Sequence, residues 1–359
     1  MTRWQEALLI SSGATVAVVP LVRRVALMTG FLDHPAPHKM HRSPTPYLGG
    51  AAICVGVLVA VLSLRTTAHS GVIGAAAALL FVVGLVDDRW GMRPVVKLGL
   101  QALAAVVVFA VGFHLQAEGV WLGITPNRTF GLVCTFGLFI LMPNSVNLLD
   151  NTDGCAAGVV AASASCVLAE VLVRHQGEFA VAAAAVTGAL LGFLVYNRRP
   201  ASIFMGDAGS LPLGLVLAVM AVRAGGGVRA PVAAEVSLLF LAVPLADTST
   251  VLVARLLHGR SIFQGGQDHL SHRLAASGIS IGYATWLLVA AQAATGATAV
   301  AVSVGALAPG LGLVLGAVLL GLVVVPAARP TVNRLVYRPA ACELASGLAS
   351  RLASSDAGS

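Results

Sequence analysis

Five polar blocks interrupt an otherwise apolar chain, and each carries residue types that can bind phosphate, a metal ion or a proton. Asp87 and Asp88 stand side by side, followed by Arg89, Arg93, Pro94 and Lys97. Two adjacent carboxylates are expensive unless something positive lies between them, and Mg²⁺ takes oxygen ligands that it commonly shares with substrate phosphates. In Asn144–Gly154, Asn147, Asp150 and Asp153 recur at three-residue steps. On a helix they form one polar stripe, with amide and carboxylate oxygens for a metal and acceptors for the N–H of a base such as uracil. The stretch from Asn197 to Ser210 holds a single acid, Asp207, in a glycine-flanked turn before an apolar run. The N-terminal end of a helix dipole favours such a charge, and a simple helix cap is the plainer reading. Phe204, three residues before it, can stack on a base or pack. His269 and His272, with Arg273 adjacent, share a helix face. Zinc would need a third ligand that is not in view, so diphosphate binding is the more economical use. Finally, His38, Lys39, His41 and Arg42 precede the run Pro44, Thr45, Pro46, Tyr47, Leu48, Gly49, Gly50. Prolines at alternate positions stiffen this positive loop and paired glycines allow close backbone approach, a combination suited to holding phosphate.

These residues must be positioned by membrane helices. The chain is 57% apolar and 10% charged with a mean hydropathy of +0.89, whereas an ordinary soluble domain is about 25% charged. Eleven apolar segments are expected near 5–24, 47–64, 71–86, 97–113, 129–143, 155–173, 179–195, 208–223, 234–254, 281–303 and 307–326. At roughly 20 apolar residues per crossing, the prediction is an all-α polytopic integral membrane protein with about eleven transmembrane helices. One transmembrane domain spans 1–328, with site loops at 33–50, 87–97, 144–154, 197–210 and 256–280, and a polar cytoplasmic tail covers 329–359. Cys54, Cys134, Cys155, Cys166 and Cys342 are scattered and form neither a disulfide framework nor a zinc pattern.

The first apolar segment has Arg3 before it and Arg23 and Arg24 after it, the reverse of a cleavable signal peptide, so it reads as an anchor with its N-terminus outside. With that start, sixteen of the 22 Lys and Arg residues fall on the inner side, as the positive-inside rule demands. Asp33, Asp87, Asp88, Asp150, Asp153, Asp207 and Asp268 fall on that side as well. The expected address is therefore the cytoplasmic membrane, multi-pass, with the C-terminus and the site facing the cytoplasm. The net charge of +7 reads as topology and attraction to anionic lipid, not nucleic-acid binding. A transporter of an anionic solute is the rival class, but its charges and broken helices would gather at the midplane between inverted repeats.

In this order and spacing, PTPYLGG at 44–50, DDRWGMRPVVK at 87–97, NSVNLLDNTDG at 144–154, NRRPASIFMGDAGS at 197–210 and DHLSHRL at 268–274 resemble the polyprenyl-phosphate N-acetylhexosamine-1-phosphate transferases. The resemblance implies transfer of N-acetylhexosamine 1-phosphate from a UDP-sugar to undecaprenyl or decaprenyl phosphate. UMP would leave, and the lipid-linked diphospho-sugar would initiate cell-envelope polysaccharide synthesis. It implies Mg²⁺, with Mn²⁺ as a substitute, ligated by Asp207 with Asn147. Asp150 and Asp153 would lie in the nucleotide site, Phe204 would stack on uracil and Asn197 would bond the substrate. Asp87 and Asp88 would sit at the reaction centre near the prenyl phosphate. Lys39, Arg42 and Lys97 would supply positive charge, and His269, His272 and Arg273 would hold the diphosphate. The partners implied are the UDP-N-acetylhexosamine, the polyprenyl phosphate and membrane lipid, with a homodimer left open. The family's last motif usually has two or three adjacent histidines, and here Ser271 interrupts them. That favours the N-acetylglucosamine branch, with the phospho-N-acetylmuramoyl-pentapeptide enzyme as the alternative.

Overall fold

The computed structural model describes residues 1–33, 44–64, 70–112, 128–226, 232–263 and 266–328, together with 332 and 336. Each expected apolar segment holds a helix, although the one at 234–254 is broken and the one at 307–326 becomes helical only from Leu311. In chain order the elements are α1 (Arg3–Thr29), β1 (Leu32–Asp33), β2 (Thr45–Pro46), α2 (Gly49–Ser63), α3 (Ser70–Trp90), α4 (Pro94–Ala110), α5 (Arg128–Leu149), α6 (Cys155–Val173), α7 (Gly177–Asn197), α8 (Asp207–Gly225), α9 (Val232–Phe240), α10 (Ala242–Leu257), α11 (Leu270–Ala276), α12 (Ile281–Ser303) and α13 (Leu311–Ala327). β1 and β2 form an antiparallel ladder with Leu32 opposite Pro46 and Asp33 opposite Thr45. Seven helices are long and apolar enough to cross a membrane, or eight if the bent pair α9–α10 is one span, while α2, α4 and α13 are shorter apolar helices. The chain is an all-α, multi-pass membrane protein.

Small residues let these helices close on one another, as they must where lipid supplies no hydrophobic drive between spans. A Cβ at Gly188 of α7 would lie 2.2 Å from the Leu8 carbonyl of α1, and one at Gly192 would lie 2.6 Å from that of Ser12. Gly214 lets α8 approach α5 in the same way, with the Met142 carbonyl 2.4 Å from where its Cβ would be. α8 is thereby enclosed by α3, α5, α6, α2 and α9, and its N-terminus becomes the point that other chain segments must reach.

The segment expected as one helix over 234–254 is broken at Leu241 and bent by 75°. Pro244 has no N–H to offer the carbonyl of Phe240 four residues back, so the helix cannot run through. The Nε2 of buried Gln292 donates to that carbonyl at 2.9 Å and to Leu239 O at 3.3 Å, and its Oε1 accepts from Val243 N–H at 3.0 Å. Ser163 Oγ also donates to Phe240 O. Broken backbone is tolerated at membrane depth where protein groups satisfy it in this way. α5 differs too: it runs on through Pro143 to Leu149, so Asn144 and Asn147 are helical.

Candidate active site

The N-terminus of α8 has free N–H groups, as every helix start does. Here acids from other helices satisfy them. Asp88, near the end of α3, accepts from Asp207 N–H at 2.9 Å and from Ala208 N–H at 3.0 Å. Gly206 N–H faces Asp150. Gly206 adopts φ +69°, and a Cβ there would stand 2.6 Å from Asp88 Oδ2, so the position admits only glycine. One turn earlier on α3, Gly84 removes the side chain that would otherwise strike the Asp207 backbone at 2.3 Å.

The PTPYLGG block docks on the other side of the same turn, through backbone. Phe204 N–H donates to Pro46 O, Gly49 N–H to Phe204 O and Gly50 N–H to Met205 O, each at 2.9 Å. A Cβ on Gly50 would meet Gly209 N at 2.3 Å, which is why paired glycines stand there. The half-buried Phe204 ring lies 6.3 Å from the ring of Tyr47. Burial, then the neighbouring Asp33 that accepts its hydroxyl, holds the Tyr47 phenol protonated far above its ordinary range.

At the centre, Lys97 reaches in from the first turn of α4, which Pro94 starts. Its Nζ lies 2.8 Å from Asp87 Oδ2 and also bonds Asp207 Oδ2. Asn147 Nδ2 donates to Asp207 Oδ1 at 2.5 Å and to Ser210 Oγ at 3.0 Å. Asp150, just past α5, stays well above the usual carboxylate range because burial, then Asp207, Asp88 and Asp153, disfavour its charge. Two acids, Asp87 and Asp207, thus share one ammonium, with Asp88 and Asp150 close beside them. Oxygens of Asp87 and Asp207 converge on a single cationic atom, and this donor set fits Mg²⁺, which needs only one or two carboxylates when phosphates and water complete its shell. Among the described residues no group of three or more His, Cys, Asp and Glu could hold a metal ion unaided.

Asp153 and Asn197 are engaged with backbone. Asp153 Oδ2 accepts from Ala201 N–H at 3.1 Å. Asn197, 1% exposed, accepts from Gly154 N–H at 3.1 Å and donates to Ile203 O at 3.0 Å. The two side chains clamp the 197–206 turn onto the start of α6.

The histidine block joins through α10 and α11. His269 Nδ1 lies 2.9 Å from Asp247 Oδ2, and Leu270 N–H donates to Asp247 Oδ1 at 2.7 Å. The His272 ring is 6.3 Å from that of His269, and burial, then His269, lowers its pKa to about 4. Ser271 Oγ donates to Asn151 Oδ1 at 2.7 Å, tying this block to the Asn147–Asp153 stripe. Arg273 is buried, with Nε donating to Asp268 O at 2.8 Å and Nη1 to Ala327 O at 3.2 Å. Arg255, also buried, pairs with Asp268 at 2.8 Å. Lys39 and Arg42 lie outside the described residues. Sequence reasoning missed Asp247, which sits inside an apolar run; the signal was an acid followed by Thr248, Ser249 and Thr250 in the middle of an expected span.

Residues 70–225 match the family described as Glycosyl transferase family 4. The decaprenyl-phosphate N-acetylglucosaminephosphotransferase of Mycobacterium leprae is 33% identical over 308 residues, covering 75% of this chain and 77% of the relative. The chain belongs to glycosyl transferase family 4. Within the family it is also similar to the "Probable undecaprenyl-phosphate N-acetylglucosaminyl 1-phosphate transferase" of Bacillus subtilis, at 29% over 286 residues, 78% of this chain and 79% of the relative. The undecaprenyl-phosphate alpha-N-acetylglucosaminyl 1-phosphate transferase of Yersinia pestis is 29% identical over 292 residues, with 78% and 79% covered. The family match contains the Asp87–Asp88, Asn147–Asp153 and Asp207 blocks and ends before the histidine block.

Proposed function

We propose that this protein transfers N-acetylglucosamine 1-phosphate from UDP-N-acetylglucosamine to a polyprenyl phosphate on the cytoplasmic face of the membrane, releasing UMP. The observation that carries the reading is the convergence of Asp87 and Asp207 on one cation beside Asn147, at a helix N-terminus crowded with acids. The names of the relatives supply the substrate class. If the three shorter apolar helices cross beside the seven long ones and the bent pair, the crossings number eleven. Such a count would bring the ends of α3, α5, α7 and α10 and the starts of α2, α4, α6 and α8 to one side, and the hydrogen bonds among them support it. Sixteen of the 22 basic residues fall on the same side, which supports a cytoplasmic site and an external N-terminus.

In the reaction an oxygen of the prenyl phosphate forms a bond to the sugar-bound phosphorus, and the bond from that phosphorus to the oxygen of UMP breaks. The acceptor's second pKa is about 6, so at neutral pH it is already largely dianionic and a strong base is not obligatory. The harder task is bringing a dianion to a diphosphate. Asp207 and Asn147 would hold Mg²⁺, which when bound neutralises and aligns phosphate oxygens. Lys97 adds positive charge from the other side of Asp207, and Asp87 orients or deprotonates the acceptor. Asp88 fixes the α8 terminus that carries Asp207. Asp150 and Asp153 shape the nucleotide side, with Phe204 as the stacking face. Asn197 acts on the substrate through the turn it clamps, and His269, His272 and Arg273 border the diphosphate. Lys39 and Arg42 would add charge near the acceptor.

Incubating the purified protein with a panel of UDP-sugars and decaprenyl or undecaprenyl phosphate, and measuring UMP, tests this reading. UMP release with UDP-N-acetylglucosamine is expected; transport without UMP release in proteoliposomes would contradict it.

A further inference from the structure

Asp247 is an acid placed where acids are costly, in the second turn of α10, and it is fully buried. An intramembrane carboxylate of this kind marks a functional role by default, with its partner as the clue. The partner is His269. Asp247 accepts from Leu270 N–H with one oxygen and faces His269 Nδ1 with the other, at 2.7 and 2.9 Å. It therefore fixes both the backbone entering α11 and the ring that precedes it.

We infer that Asp247 is a positioning residue for the transfer reaction, holding His269 with Nδ1 protonated and leaving its Nε2 for the diphosphate of the nucleotide-sugar. A carboxylate only accepts hydrogen bonds, so the ring nitrogen beside it must be the donor. That settles the tautomer, because the second ring nitrogen takes whatever role the first leaves to it. No hydrogen bond reaches His269 Nε2 among the described residues. Ser271, two residues on, bonds Asn151 and so holds the ring's helix against the loop that follows Asn147 and Asp150. A proton gained at Nε2 would let that edge of the ring donate to a phosphate oxygen while Nδ1–H stays on Asp247. The ring faces His272 of α11 at 6.3 Å; of the charged neighbours in the chain, Asp268 is paired with Arg255 of α10 and Arg273 is bonded to the Asp268 carbonyl. His272 stays neutral down to about pH 4, so no second charged ring faces His269 above that pH. The inference rests on the transferase reading for its substrate and on geometry alone for the tautomer.

Two measurements test it separately. In ¹⁵N-histidine-labelled wild-type protein in nanodiscs, the His269 ring, assigned by its loss in His269→Gln, should carry a proton on Nδ1, alone or together with one on Nε2. The opposite tautomer would overturn the proposal without any variant needing to fold. The second is a double-mutant cycle on kcat/KM for UMP release from UDP-N-acetylglucosamine. In Asp247→Asn the amide has one acceptor oxygen, so it cannot serve both Leu270 N–H and Nδ1–H, and a drop of about 10- to 100-fold is expected, as when the carboxylate that orients a ligand histidine is lost. Asp247→Asn combined with His269→Gln should be no slower than His269→Gln alone. Multiplicative losses would show that Asp247 acts on the fold and not through the imidazole. A wild-type protein with the Nδ1–H ring that releases no UMP from any UDP-sugar would sink the transferase reading, and with it the catalytic half of this inference.

Discussion

Buried carboxylates gather at both ends of this helix bundle, and the two groups are built differently. At the end away from the site, Glu170 of α6 is fully buried, yet Arg174 Nε donates to it at 2.5 Å and Ser303 Oγ donates to its other oxygen. Glu235 of α9 accepts from Gly310 N–H at 2.9 Å and Leu313 N–H at 3.1 Å, which caps α13. Each acid there has its own donors. At the start of α8, Asp88 does the same capping work, but Asp87 and Asp207 are left to share Lys97, and Asp150 lies buried against the acids Asp207, Asp88 and Asp153. One end closes its electrostatics within the chain; the other keeps more carboxyl groups than cations, for something that arrives with the substrate. A surplus of acids around one cation, more than the presence of acids, separates the site from the scaffold.

The sharpest way to break that distinction is to remove one acid from each end. Asp207→Asn should lower UMP release about 1,000-fold or more, since it strikes a group aimed at charge in the transition state. Glu170→Gln should leave kcat of the folded protein near wild type while lowering its melting temperature. Equal losses of activity in both would erase the difference between the ends.

Asp87→Asn should come next, slowing the reaction at saturating UDP-sugar. Partial recovery is expected between pH about 6 and 8.5, as the acceptor phosphate ionises without help. A many-fold rise in the Mg²⁺ needed for half-maximal rate, with the pH profile unchanged, would instead make Asp87 a ligand. Because Asp87 and Asp207 meet at the same ammonium, that titration decides between two roles that lie side by side.

The capping acids provide a smaller, matched pair. Asp88→Ala and Glu235→Ala should each cost roughly 1 to 2 kcal/mol, as loss of a helix cap does, visible as a lower melting temperature. Only Asp88→Ala should also depress kcat, because the terminus it caps carries Asp207.

The mildest effect concerns His272, whose folded pKa of about 4 lies below its ordinary value of 6.5. The unfolded chain binds this proton first, so stability from the neutral ring is fully present above pH about 6.5 and is lost progressively down to about 4. His272→Gln should flatten the melting temperature over that window. An unchanged slope would place the acid sensitivity elsewhere.

Much of this was legible in the sequence. Hydropathy fixed α6 and α12 to the residue, because their polar boundaries at Gly154 and Ser280 stand against long apolar runs. The five blocks were visible as chemistry because charge in so apolar a chain has few structural excuses. The break at Leu241 was missed because its cause, Pro244, and its remedy, Gln292, lie on different helices. Asp247 was hidden for a related reason: an apolar window averages over one acid. Nor could spacing show that Asp153 and Asn197 are committed to backbone, since that depends on how the 197–206 turn folds over α6. Long-range meetings such as Ser271 with Asn151 are set by packing alone.

The central claim is that the shared acids at the start of α8 form a cation-dependent transfer site. UMP release by the purified protein, with UDP-N-acetylglucosamine and decaprenyl phosphate, should be followed first in excess EDTA and then as Mg²⁺ is restored. The expected result is no turnover in chelator and a saturable return with Mg²⁺, with one UMP formed per lipid-linked sugar phosphate. Full turnover in EDTA would contradict it.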